Sequence, residues 1–122
     1  MKKSALILED ELVIALLLSH ILEEYGFDNI RVSSEGNRAI DVALEIEPDL
    51  IIIDINLHGM NGFEVIKELR DRFSYKMPTI LIISAQNMAE ELLLEIGLSS
   101  KKFISKPFSK REICNFLQEE SF

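Results

Sequence analysis

With a single cysteine, Cys114, the 122-residue chain has no partner for an internal disulfide, which excludes a disulfide-stapled fold. Cys114 falls in a helix-patterned segment, where a lone thiol serves as core filler. Cations are also in short supply: 13 Lys and Arg against 21 Asp and Glu leave a formal net charge of −8. A nucleic-acid surface needs clustered basic side chains to neutralise phosphates, so this balance argues against one. No apolar run approaches the ~20 residues of a membrane-spanning helix. Met1-Lys2-Lys3 is basic, but the apolar run over 5–8 is cut off by Glu9-Asp10-Glu11, against a secretory leader. The chain is therefore expected in the cytoplasm. Linker-like and low-complexity segments are missing too, and 122 residues suit one core but not two. One domain over residues 1–122 is expected.

What is present is a globular composition, 48% hydrophobic and 28% charged. At its centre stands Leu50-Ile51-Ile52-Ile53-Asp54, an apolar run between Pro48-Asp49 and the later glycines Gly59 and Gly62. Such a run reads as a strand buried on both faces. It ends on a carboxylate, and burying Asp54 unpaired is costly, so cations, donors or water must surround it.

Similar strand–helix units flank that run. Residues 4–8 form a strand ending on Glu9 and Asp10, and 12–25 form a helix closed by Gly26. The helix spacing gives a core stripe of Ile14, Leu17, Leu18, Ile21 and Tyr25, with Leu12, Val13, Ala15 and Leu16 off it. Residues 29–33 form a weaker strand. Ser34 caps a helix over 35–46 with Ala39, Ile40, Ala43 and Leu44 inward, and Pro48 forbids its continuation. A helix over 63–73 turns Val65, Ile66 and Leu69 inward. The strand over 79–83 ends at Ser84, a helix over 88–96 stops at Gly97, and a strand over 102–105 ends at Lys106-Pro107. Ser109-Lys110-Arg111-Glu112 is a capping box opening a last helix with Ile113, Phe116 and Leu117 inward.

Strands alternating with helices predict an α/β fold. The expected architecture is a flavodoxin-like, doubly wound (βα)5 with a five-stranded parallel sheet in order 2-1-3-4-5 and helices on both faces. That order delivers Glu9 and Asp10, Asp54, Ser84 and Lys106 to one cleft at the carboxyl ends of the strands. Three carboxylates repel one another unless a cation joins them, and an all-oxygen set suits a hard divalent ion such as Mg²⁺. Solvated acids at a helix start account for Glu11, but not for Asp54, which a loop follows. A carboxylate nucleophile, a divalent metal, a lysine and a hydroxyl donor together suit phosphoryl transfer through an acyl phosphate.

Leu8-Glu9-Asp10-Glu11, Asp54 with Gly62 eight residues on, Ser84-Ala85 and Lys106-Pro107-Phe108 resemble the receiver domain of two-component response regulators. The resemblance covers essentially the whole chain. It implies that Asp54 is the phosphoacceptor for a phosphohistidine, borne by a histidine kinase or a histidine phosphotransfer protein. It further implies Asp10 as direct ligand of Mg²⁺ (or Mn²⁺), Glu9 acting through metal-bound water, and the Asn56 carbonyl as third protein ligand. Lys106 contacts Asp54 and then its phosphate, Ser84 is the switch hydroxyl, Phe103 the aromatic switch, and Asn56 and Gln86 border the path of attacking water. Departures from the family pattern are His58 for a proline, Asn61 for an aspartate, Leu98 for an alanine, and Phe103 for the commoner tyrosine; His58 and His20 are bystanders.

The implied activity is self-catalysed aspartyl phosphorylation and dephosphorylation, with no free-standing enzyme. Output passes to a partner protein or onward through a phosphorelay. Receivers signal or dimerise through the fourth helix, fifth strand and fifth helix, which here carry Lys101, Lys102, Lys110 and Arg111. Leu12, Val13, Ala15 and Leu16 beside the acidic cleft form a second docking patch, for a helix bundle or kinase. Neither direct nucleic-acid binding nor membrane insertion is expected. The main alternative is a phosphorylation-independent interaction module, against which Asp54, Asp10 and Lys106 argue. A haloacid-dehalogenase-type phosphatase expects a second acid two residues after the nucleophile, where Asn56 stands. A flavodoxin expects a hydroxyl- and glycine-rich phosphate loop after the first strand, where Glu9-Asp10-Glu11 would repel phosphate.

Overall fold

The strand Leu50–Asp54 (β3) is fully enclosed, and its alternating side chains feed two separate cores. Ile51 and Ile53 join Leu6, Leu8, Ala39, Ile40, Val65, Ile66 and Ile80 on one side. Leu50 and Ile52 join Ala5, Ile7, Leu18, Ile21, Leu81 and Ile113 on the other. A strand that is apolar at every position needs this arrangement, since both faces must leave water.

The computed structural model describes residues 3–57, 61–73, 76–85, 90–95, 97 and 102–122. Around β3 lie β1 (Ser4–Leu8), α1 (Leu12–Tyr25), β2 (Asn29–Ser33), α2 (Gly36–Ile46), α3 (Gly62–Arg72), β4 (Thr79–Ser84), α4 (Glu90–Glu95), β5 (Phe103–Ser105) and α5 (Lys110–Glu119). All strand pairs are parallel, and the sheet order is β2-β1-β3-β4-β5, as expected. Buried residues of α1 and α5 cover one face, and those of α2, α3 and α4 the other.

Three helix expectations are corrected. The α1 face turned to the sheet is Ala15, Leu18, Ile21 and Leu22, while Leu17 is 47% exposed. Residues 12–18 are apolar throughout, so periodicity there leaves the stripe open; the small Ala15 lets the helix lie close to the sheet. In α2 Leu44 is exposed, facing an open hollow at the amino ends of the strands with Phe73, Met77 and Phe122. The α2 cap is Glu35, with no side-chain capping bond, because the Ser33 hydroxyl bonds the Glu35 backbone and shifts the helix start to Gly36. The helix expected over 88–96 is described only for Glu90–Glu95. The strand expected over 102–105 begins at Phe103.

Other local signals act as read. Gly26 closes α1 at φ 124°. At α5 the Ser109 hydroxyl accepts from the Glu112 amide (3.1 Å) while Glu112 accepts from the Ser109 amide (3.0 Å). Asn61 caps α3, accepting from the Phe63 amide at 2.7 Å, which an aspartate would also do.

Gly62, the first residue of α3, is packed against the end of β3. A Cβ there would meet Ile55 Cα at 2.9 Å and the Asp54 carbonyl oxygen at 3.0 Å, both backbone atoms that cannot swing away. Alanine restricts the unfolded chain, which is also most of its helix-propensity advantage over glycine, worth up to about 1 kcal/mol. Overpacking against backbone that cannot move costs about 1–3 kcal/mol and outweighs it. Gly62→Ala is therefore expected to lower the urea midpoint; a raised midpoint would contradict this packing.

Candidate functional site

Four strand ends place the site. Glu9 follows β1, with its amide continuing the ladder to the Ser33 carbonyl (3.0 Å). Asp54 ends β3 opposite Ile83, and Ser84 ends β4 opposite Ser105. The Lys106 amide donates to the Ser84 carbonyl at 2.8 Å, so the residue after β5 is still held by the sheet. The Lys106–Pro107 peptide bond is cis. Parallel strands in register thus bring residues 9, 54, 84 and 106 to one edge.

The Lys106 ammonium lies 3.1 Å from Asp54 Oδ2 and 3.0 Å from Glu9 Oε2, with Glu11 Oε1 at 3.9 Å. The Glu9 side chain is 0% exposed, Asp54 5% and Lys106 11%, so these contacts are shielded from solvent. Each buried carboxylate also accepts one backbone amide: Asn56 N–H donates to Asp54 Oδ1 (3.1 Å), and Glu11 N–H to Glu9 Oε1 (3.2 Å). Glu9 Oε2 makes no hydrogen bond of acceptable angle, so its contact with Lys106 is one of charge. The Asn56 side-chain amide (Nδ2) donates to the Ser84 hydroxyl at 3.5 Å, and Ser84 is completely buried. Phe103 is half-buried against the α2–α3 side of the core.

Asp10 joins the cluster, since donor atoms of Glu9, Asp10 and Asp54 all lie within 4.8 Å of one another. Three carboxylates gathered beside the Lys106 ammonium make an acid-rich, all-oxygen donor set. With Glu9 Oε2 buried and without a hydrogen bond, that set fits a hard divalent cation.

The same crowding is visible in protonation. Burial pushes the Glu9 carboxyl up to about 6; Lys106 and the Glu11 amide pull it back, and the Asp54 charge adds to the rise. For Lys106 burial works downward, but the close carboxylates of Glu9 and Asp54 outweigh it and raise the ammonium's pKa.

The site residues inferred from sequence come together: Glu9, Asp10, Asp54, Asn56, Ser84 and Lys106 share one cleft. Gln86, His58 and Leu98 lie outside the described residues. The sequence reading missed the bonds made by the Glu11 amide and the Asn56 side chain. The signal for the first is the position of Glu11, two residues after Glu9 and immediately before α1. On the expected output surface, Lys102 is paired with Glu120, and Lys110 with Glu24 at 2.5 Å, while Lys101 lies outside the described residues.

Glu9 ionises less readily in the fold than in the unfolded chain. Its contribution to stability is therefore complete below pH 4.5 and lost as pH rises toward 6. A shift of this size corresponds to at most about 2 kcal/mol. In chelator, Glu9→Gln is expected to gain on the wild type by up to that amount between pH 4.5 and 6, followed by urea unfolding. Parallel stability–pH curves would contradict the burial described.

The family model for the response regulator receiver domain matches residues 5–118. Among solved structures, the chemotaxis protein CheY4 of Vibrio cholerae superposes with a TM-score of 0.86 at 26% identity, covering 98% of each chain. A CheY-like response regulator receiver domain from Methylobacillus flagellatus gives 0.83 at 23% identity, with 98% of each chain covered. A CheX–CheY complex of Borrelia burgdorferi with beryllium fluoride and magnesium gives 0.85 at 22% identity, covering 98% of this chain and 90% of that one. Fold, strand order and family match agree, and the chain belongs to the response regulator receiver domains of two-component signalling.

Proposed function

We propose that Asp54 accepts a phosphoryl group from the phosphohistidine of a histidine kinase or histidine phosphotransfer protein. The observation that carries this reading is the buried Asp54 carboxylate, held by Lys106 at 3.1 Å and the Asn56 amide at 3.1 Å at the sheet's carboxyl edge. These donors orient a nucleophile and remain beside it as charge develops on the incoming group. An Asp54 oxygen attacks phosphorus, the donor's P–N bond breaks, and the imidazole nitrogen keeps the electron pair and takes up a proton. Glu9, Asp10, Asp54 and the Asn56 carbonyl would hold Mg²⁺ or Mn²⁺, which when bound offsets the charge on the phosphoryl oxygens. Lys106 supplies the remaining positive charge.

Phosphorylation adds about 1.5–2 negative charges and new acceptor oxygens. Ser84 and Lys106 are the donors that would turn to them, and the half-buried Phe103 would fill the space the Ser84 hydroxyl leaves. Asn56 tunes hydrolysis of the aspartyl phosphate from the mouth of the site. The signal leaves by α4, β5 and α5, either to a partner protein or to a second copy. The Borrelia chain's complex with CheX is an instance of this fold engaging a separate protein.

For the incoming donor, α1 offers a contiguous apolar face: Leu12 is 69% exposed, Val13 79%, Leu16 58%, and Leu17 belongs with them in place of the buried Ala15. The patch starts directly after the acidic cluster, so a helix lying on it would present its phosphohistidine to Asp54.

Two measurements test this. Intact mass after incubation with Mg²⁺ and acetyl phosphate is expected to show one labile phosphoryl group, absent in Asp54→Asn and in chelator. A folded, unlabelled wild type would favour the phosphorylation-independent module. Leu16→Glu is expected to reduce transfer from the cognate phosphohistidine at least about tenfold, in line with loss of an apolar anchor, while leaving labelling by acetyl phosphate unchanged. Equal loss with both donors would place Leu16 in the fold of the site instead.

A further inference from the structure

β5 is a weakly held strand. It has three residues at the sheet edge and pairs with β4 at three positions. Phe103 and Ile104 are only half-buried and Ser105 is exposed, whereas every residue of β3 is buried. Yet Lys106, directly after β5, must hold its ammonium near 3 Å from two carboxylates.

The other end of β5 is anchored by a second lysine. Lys102 is ion-paired with Glu120, and its ammonium lies 5.8 Å from the centre of the Phe116 ring. The paired side chains are 26% and 22% exposed, more shielded than an ordinary surface pair. Glu120 is itself fixed: its amide donates to the Phe116 carbonyl at 3.0 Å, and Phe116 and Leu117 are core residues of α5. An extended segment rises about 3.3 Å per residue, so the two lysines sit roughly 13 Å apart on one short, stiff piece of chain. One end is tied to the acids of the site, the other to the last turn of α5.

We propose that Lys102 and Glu120 are a positioning pair for Lys106, acting through β5, in the phosphoryl transfer to Asp54. The inference rests on the phosphoacceptor reading above. Neither residue touches the reacting atoms. Their pairing keeps the amino end of β5 against β4, and the Lys106 ammonium is thereby held at its working distance. Without Glu120 the Lys102 ammonium keeps, among the described residues, the Phe116 ring, the strand is free to tilt at its open edge, and the reach of Lys106 changes. A misplacement of about 1 Å costs up to roughly a hundredfold in positioned catalysis, and a tilted strand misplaces Lys106 by less.

The test compares wild type, Glu120→Gln, Lys102→Met and the exchanged pair Lys102→Glu with Glu120→Lys. Labelling by acetyl phosphate is followed across a Mg²⁺ titration, which separates maximal rate from metal half-saturation, and hydrogen exchange is read at the Lys106 amide. Both single variants are expected to lower the maximal rate about three- to tenfold, with Mg²⁺ half-saturation nearly unchanged. Exchange at the Lys106 amide is expected to quicken, and the exchanged pair to recover both readouts. Single variants that label as fast as wild type, or a loss that the exchanged pair does not recover, would overturn the proposal. A wild type that takes no label overturns the phosphoacceptor reading itself. Unchanged Lys106 amide protection in Glu120→Gln overturns the tether whatever the labelling result.

Discussion

One ammonium held between two buried carboxylates is the interaction on which the rest of the site depends. Withdrawing a charge from water costs several kcal/mol even after relaxation, and pairing must repay most of it. Lys106 does so for Asp54 and Glu9 together, with one backbone amide added to each. Asp10 adds a third acid to the cluster, and burial makes Glu9 resist ionisation. An all-oxygen cluster of this kind suits a divalent cation.

The molecule separates this cluster from its stability. Both cores lie along the bodies of the strands, and the charged cluster sits just beyond their carboxyl ends. Polar groups at that edge are satisfied by chain already fixed for other reasons, such as the Asn56 and Glu11 amides at the starts of loop and helix. Packing of Gly62 against Asp54 and Ile55 ties the end of β3 to α3, so the surroundings of Asp54 are fixed by a helix.

Much of this was legible in the sequence, because the decisive residues break a strong pattern. Asp54 ends an all-apolar run, and Lys106 stands before a proline at another strand end; such breaks identify a site once the strand order is known. Most strand bounds and the α5 capping box were legible too, because unbroken apolar runs and cap chemistry are local. The α1 face was not. Leu12 through Leu18 offers no polar residue to mark the outside, so the choice between Ala15 and Leu17 was made by tertiary packing. Leu44 likewise fits an inward period, yet it is exposed and lines the hollow with Phe73 and Met77. The pairs Lys102–Glu120 and Lys110–Glu24 join residues distant in sequence, and no spacing rule announces them.

The register of the parallel ladder has a metrological consequence. The strands that fold the protein are also the scale on which its reactive atoms are set, and that scale is graduated in whole residues of about 3.3 Å. Slipping β3 by one position exchanges its two cores and removes Asp54 from the reach of Lys106 at the same stroke. Chain length can therefore change the cleft only in steps too coarse for chemistry. Finer adjustment is left to the side chains at the strand tips.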